Sequence, residues 1–182
     1  MNPSGRLPIS FPADLAQTPR PELDGLGTPW GTPTTVRYHE GADVGYRWFA
    51  RRHEQPLYAF GHGLSYTTFG YRDLQVEGGD TITATFTVTN TGRRAGADVP
   101  QLYLVGAAGE ERLRLLGFQR VDLQPGESRQ VMITADPRLL ARFDGSDGIT
   151  GSWRIAEGSY RIAVGKSAQD LMLTADALMR GS

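Results

Sequence analysis

Thr81-Ile-Thr-Ala-Thr-Phe-Thr-Val-Thr89 is the stretch that decides the fold. Ile82, Ala84, Phe86 and Val88 fall on one face and threonines on the other. A period of two with β-branched residues is the pattern of a strand that buries one face and wets the other, which is the antiparallel case. Asn90-Thr91-Gly92 follows as a turn, with Asn90 and Gly92 suited to left-handed backbone. Working outward, Val99 to Val105 reads as a second strand. Ser128 to Ala135, entered through Pro125-Gly126, reads as another with Val131, Ile133 and Ala135 inward. Tyr160, Ile162 and Val164 alternate after Glu157-Gly158, and Leu171 and Leu173 suggest a last strand. A short helix is expected over Asp136-Pro-Arg-Leu-Leu-Ala-Arg-Phe143, with Asp136 as cap and Pro137 at the first helical position. Short strands at roughly 8–12-residue spacing with turns between them predict a mainly β fold, a β-sandwich, and Trp153 and Tyr103 are large enough to fill the space between its sheets. The strands do not repeat one another, which excludes a solenoid or propeller.

Upstream of residue 66 the character changes. Residues 41–65 mix Tyr46, Trp48, Phe49, Tyr58 and Phe60 with glycine, too apolar for a free linker, and are expected to lie pinned against a surface. Gly61 and Gly63 supply positive φ where the chain enters the next unit. Residues 1–40 carry Pro3, Pro8, Pro12, Pro19, Pro21, Pro29 and Pro33. Proline fixes φ and removes a donor, so no long helix or central strand fits there, and only Arg6 to Phe11 suits a short extended segment.

Composition bounds the function. With 182 residues, 39% hydrophobic and 21% charged, the chain suits one domain plus a smaller piece. A net charge of −1 without a basic block predicts no nucleic-acid partner. No apolar run approaches the roughly 20 residues that cross a bilayer, and the first twenty residues lack a secretory leader pattern, so no membrane partner is expected. Zero cysteines exclude disulfides, thiolate metal sites and cysteine nucleophiles.

Several segments resemble family 3 glycoside hydrolases of the β-glucosidase type, in the order that family shows. Asn2-Pro-Ser-Gly-Arg-Leu-Pro-Ile-Ser-Phe-Pro12 resembles the exit from its α/β-sandwich domain. Tyr38-His-Glu-Gly41 and Val44-Gly-Tyr-Arg-Trp-Phe49 resemble its connector, and Phe60-Gly-His-Gly-Leu-Ser-Tyr-Thr-Thr-Phe69 the entry to its fibronectin type III-like domain. Val88-Thr-Asn-Thr-Gly92, Gly96, Val99-Pro-Gln-Leu-Tyr103, Leu116-Gly-Phe118, Leu123-Gln-Pro-Gly-Glu127, Trp153 and Gly158-Ser-Tyr160 recur within that domain. Each motif alone is weak; their order is what is specific. The resemblance implies three units: residues 1–40 from the end of the α/β-sandwich domain, an aromatic-rich connector over 41–65, and a fibronectin type III-like β-sandwich over 66–182. It implies a C-terminal piece of a retaining β-glucosidase or β-xylosidase, whose partners are the remaining catalytic domains and, through them, a β-linked oligosaccharide or glycoside. A bacterial source is expected, with the compartment open among periplasm, exterior and cytoplasm.

Retaining hydrolysis needs two carboxyl groups roughly 5–5.5 Å apart. In the resembled family both come from regions upstream of the matched segments, so no catalytic residue is carried over and the chain alone is expected to be inactive. Among its own carboxylates, Glu40 reads as a structural pair or a contact at the substrate rim, Glu54 as part of a solvated cluster with Arg51, Arg52 and His53, and Asp43 as a connector charge. Asp144 and Asp147 flank Gly145 as turn residues, and with Ser146 they make only a weak calcium pattern that lacks a later acidic ligand. His39, His53 and His62 lack zinc spacing, Ser65 lacks a nucleophile elbow, and no phosphate loop is present, so no metal or cofactor is expected. Glu40, Tyr46, Trp48, Phe49, Tyr58 and Phe60 are the candidates for rim or interdomain contact. Two competing readings are a stand-alone carbohydrate-binding module, which would draw on Tyr71, Phe118, Phe143 or Trp153, and an adhesion module, for which residues 1–65 have no use. The chain also reads as a truncated piece of a longer gene product.

Overall fold

A computed structural model describes residues 2–145 and 150–181. Its core is built on the threonine-alternating stretch: Ile82, Ala84, Phe86 and Val88 are all buried to within a percent of complete. This strand, β2 (Thr83–Asn90), lies between β1 (Phe69–Glu77) and β7 (Ser128–Thr134), both antiparallel to it. Val88 pairs with Tyr71, and Phe86 with Val131. On the solvent face, hydroxyls meet across the β2–β7 pair, Thr83 with Thr134 at 3.1 Å and Thr89 with Ser128 at 2.7 Å, the cross-strand pairing that stabilises a wet face.

The facing sheet has four strands in the order β11 (Asp170–Met179), β10 (Gly158–Ser167), β4 (Gln101–Ala107) and β5 (Glu110–Phe118). Leu102, Leu104, Tyr160, Ile162 and Val164 meet Phe86, Val88, Val131 and Ile133 between the sheets. Two short ladders complete the set, β3 (Gly96–Asp98) with β6 (Val121–Leu123), and β8 (Arg142–Asp144) with β9 (Ser152–Arg154).

Four local expectations change. The stretch Asp136–Phe143 forms only a 3-10 turn, Pro137–Leu139, capped by Asp136, which accepts from the Arg138 amide at 3.0 Å. The turn stops because Leu140 dives into the core and Arg142 starts β8. Trp153 is not between the sheets: it sits on the outlying β8–β9 ribbon, 67% exposed, edge-on to Phe143. Tyr103 is fully buried, but on the outer face of β4, beneath residues 46 and 60. Asn90 does not make a hairpin. It ends β2 fully buried, accepting from the Thr67 hydroxyl and the Gly92 amide and donating to the carbonyls of Arg94 and Leu123. Every polar valence that its amide offers toward a corner is used. Neither Asn90 nor Gly92 takes positive φ. Gly92 is glycine because a Cβ there would sit 2.8 Å from the Thr68 amide nitrogen.

Candidate functional site: the docked leading segment

The outer face of β4 explains why residues before 66 are held. Gln101 and Tyr103 alternate with Leu102 and Leu104, so β4 is buried on both faces. The Tyr103 hydroxyl donates to Gln101 Oε1 at 2.5 Å, and Gln101 Nε2 donates to the carbonyls of Lys166 (2.8 Å) and Gly61 (3.3 Å). Gly61 has φ +83°, a left-handed value that lets its carbonyl reach Gln101. Gly63 lacks positive φ; it is small because the Gly5 carbonyl and Arg6 press against its α-carbon.

From this anchor a short antiparallel ladder runs back. The Leu7 amide donates to the His62 carbonyl, the Gly61 amide to Leu7, and Phe11 and Tyr58 exchange both bonds. The segment from Arg6 to Phe11 thus pairs at Leu7 and at Phe11, with a bend at Pro8 and Ile9 between them rather than one continuous extended run. The Ala168 amide donates to the Phe60 carbonyl at 2.9 Å, tying the ladder to the β10–β11 turn.

A buried polar bolt joins the same two bodies. Asp98 on β3 is fully buried; Oδ1 accepts from Arg6 Nη2 and Oδ2 from the Tyr71 hydroxyl, both at 2.6 Å. Burial, then the Asp98 charge and hydrogen bond, push the Tyr71 phenol well above its ordinary range, and burial does the same to Tyr103. Sequence reasoning missed Asp98. An aspartate set between Ala97 and Val99 was the available signal, since an unpartnered charge does not sit in an apolar run.

The aromatic-rich stretch includes a helix that the sequence reading left out, α1 (Tyr46–Arg52). It is seven residues long, no side chain caps its start, and it ends on His53 at φ 53°. Its capping and propensity signals are therefore faint. The helix lies along the edge strand β5, where the Tyr46 hydroxyl accepts from the Leu115 amide at 2.9 Å. An otherwise open strand edge is thereby covered.

Tyr46 packs on Phe60 at 4.8 Å between centroids and edge-on to Tyr103. Trp48 donates from Nε1 to the Gln17 carbonyl at 2.8 Å, with Arg52 over its ring. Phe49 is buried. Tyr58 is half-exposed, edge-on to Phe11 and tilted against His62. Glu40 is buried, 3.6 Å from Arg20 through Oε1, and its Oε2 has no hydrogen-bond partner among the described residues. The structure thus brings Tyr46, Phe60 and Tyr103 together, while Trp48 bonds to Gln17 and Glu40 pairs with Arg20. The rings meet at 37°, 75° and 83° rather than forming a flat row.

The carboxylates weighed for chemistry pair with arginines instead: Asp43 with Arg51, Glu54 with Arg52, and Asp144 with Arg154. Among the described residues no three histidines or carboxylates group as metal ligands. Ser146 and Asp147 lie outside the described residues. No helix among them is long and apolar enough to cross a membrane.

What the leading segment does offer is apolar surface. Of eighteen large hydrophobic side chains exposed among the described residues, twelve lie before residue 66, including Leu15, Leu23, Leu26, Trp30 and Tyr38. The described residues of the sandwich contribute six.

Against known proteins, the model of the fibronectin type III-like domain matches residues 98–168. The chain carries a fibronectin type III-like domain. The match runs from the last residue of β3 through β10 and leaves β1, β2 and β11 of the sandwich outside it. Over nearly its whole length the chain is similar to a probable β-glucosidase K of Emericella nidulans, 41% identical over 178 residues, covering 95% of this chain and 20% of that protein. It is 36% identical to thermostable β-glucosidase B of Acetivibrio thermocellus, covering 95% and 23%. Among solved structures, the family 3 β-glucosidase of Bifidobacterium adolescentis superposes with a TM-score of 0.84 at 32% identity, covering 100% of this chain and 27% of that one. The chain therefore spans about a fifth to a quarter of the length of the proteins it matches.

Proposed function

We propose that this chain is the C-terminal, non-catalytic part of a retaining glycosidase that releases terminal β-linked glucosyl residues. Its task is to support the domains that hold the catalytic carboxylates. The observation that carries this reading is the concentration of exposed apolar side chains on the leading segment, twelve of eighteen among the described residues, on a body that otherwise has a well-filled core. Exposed apolar surface gathered on one region marks a surface for another polypeptide. In this reading residues 1–40 are the end of an α/β-sandwich domain and residues 41–65 connect it to the sandwich. Glu40 and the aromatic residues lie where the two would meet. The similarity to β-glucosidases along the whole chain, leading segment included, supports the same assignment.

The test is turnover of an aryl β-glucoside and an aryl β-xyloside by the purified chain at high concentration over long incubation. No hydrolysis above background is expected. Hydrolysis that co-purifies with the chain and falls in Glu40→Gln or Glu54→Gln would overturn the reading. A second reading, a carbohydrate-binding module, draws on the exposure of Trp153 and Phe118. It requires saturable binding of soluble β-glucan oligosaccharides that is lost in Trp153→Ala.

A further inference from the structure

Arginines show where this molecule expects negative charge. Among the described residues most guanidiniums have a carboxylate within ion-pair distance, from Arg6 with Asp98 to Arg161 with Asp176. Of those without one, Arg37, Arg93, Arg94 and Arg180 are exposed and solvated. The remaining three, Arg47, Arg112 and Arg114, are all half-buried and all at one place, the seam between α1 and β5. Each donates to a single backbone carbonyl: Arg47 to Ala42, Arg112 to Ala141 at 3.4 Å, and Arg114 to Leu139 at 2.7 Å. A guanidinium offers five donors, so most are left over.

The seam opens into a cleft of about 850 Å³ that Arg47 and Arg112 line. Of the carboxylates that line it, Asp43 pairs with Arg51, Glu54 with Arg52 and Glu110 with Arg142, while Glu111 is exposed and has no ion pair. Burial, and then neighbouring guanidiniums, pull Arg112 and Arg114 below the usual range. Like charges gathered in partly desolvated surroundings raise the free energy of the empty site, and an anion lowers it by making charge-assisted bonds to several forks at once.

We propose that Arg47, Arg112 and Arg114 form an oxyanion site at the α1–β5 seam, taking the carboxylate or phosphate of a small acidic ligand. The site uses none of the residues through which the leading segment docks on the Tyr103 face, and it stands whether or not the chain supports a glycosidase. An anion there bridges α1 to the sandwich, so ligand binding and the docking of the leading segment are coupled.

The experiment is thermal unfolding of the full chain in phosphate and in citrate, against sodium chloride at matched ionic strength. The expected result is a midpoint that rises with either oxyanion beyond the chloride control. A response to phosphate alone assigns a phosphate ligand, and one to citrate alone a carboxylate. Arg112→Gln is expected to weaken oxyanion binding by roughly tenfold, the worth of one charge-assisted hydrogen bond. Arg47→Glu puts a carboxylate beside Arg112 and Arg114. It is expected to raise the midpoint without added anion and to abolish the phosphate and citrate response. Equal shifts in oxyanion and chloride would overturn the proposal. So would a response that survives in Arg47→Glu, or a loss of stability in Arg47→Glu, which would show that the three arginines need no anion.

Discussion

Replacing Asp98 by alanine should be the most damaging single change outside the apolar core. The carboxylate is fully buried and holds two partners, Arg6 and Tyr71, each at 2.6 Å. Removing it strands a guanidinium whose Nε already has no partner and a phenol that cannot reach water. Breaking a buried pair by deleting one member costs about 3–5 kcal/mol, because the other charge stays behind uncompensated. For a chain of 182 residues, each kcal/mol moves the midpoint by roughly 2–4 °C, so a fall of about 6–20 °C is expected. Tyr71→Phe removes only one hydrogen bond and should cost about 1–2 kcal/mol. The assay is calorimetry or circular dichroism on both variants and on the Asp98→Ala/Tyr71→Phe double variant. In the double variant the penalties should fall short of additivity by roughly 0.5–3 kcal/mol, since the groups share one network. A loss below about 1 kcal/mol for Asp98→Ala, or strict additivity, would refute the bolt.

Other expectations follow from the same contacts. Tyr71 and Tyr103 titrate above their unfolded range, so their contribution is fully present below pH of about 10 and is lost as pH rises past it, by up to about 1.4 kcal/mol for each per pH unit; alkaline unfolding monitored by tyrosinate absorbance checks this. Gly61→Ala puts a Cβ against the Gln101 amide at φ +83°, and denaturant titration should show a loss of at least about 1–2 kcal/mol. Phe86→Ala should cost about 3–5 kcal/mol, while Trp153→Ala, on an exposed ribbon, should cost less than about 1 kcal/mol; the reverse order would mean that the ribbon packs into the core.

The sandwich was legible where a strand buries one face, because a period of two is visible residue by residue, as in Ile82 to Val88 and in Val131, Ile133 and Ala135. It was less legible in β4, where Gln101 and Tyr103 are as buried as Leu102 and Leu104. The cover on that second face comes from residues some forty positions upstream, which local periodicity does not register. Size alone assigned Trp153 and Tyr103 to the core, and packing sent both elsewhere. Of the candidate site, the need for a second surface was readable in the aromatic content of residues 41–65. The Arg6–Asp98 bond, spanning 92 positions, was not, because nothing in the sequence records which charges meet. The α1–β5 arginines were invisible for the same reason: Arg47 and Arg112 become neighbours only through folding.

In the proposed function the leading segment is held on the sandwich and presents its apolar side outward. Hydrogen exchange at the amides of Leu7, Phe11, Tyr58 and Gly61 measures this directly, since each donates in the ladder between residues 7–11 and 58–62. Slow exchange at these four, tracking the strand amides of the sandwich, is the predicted result. Exchange at unprotected rates while β2 and β10 stay protected would contradict it and would leave the sandwich without its docked surface.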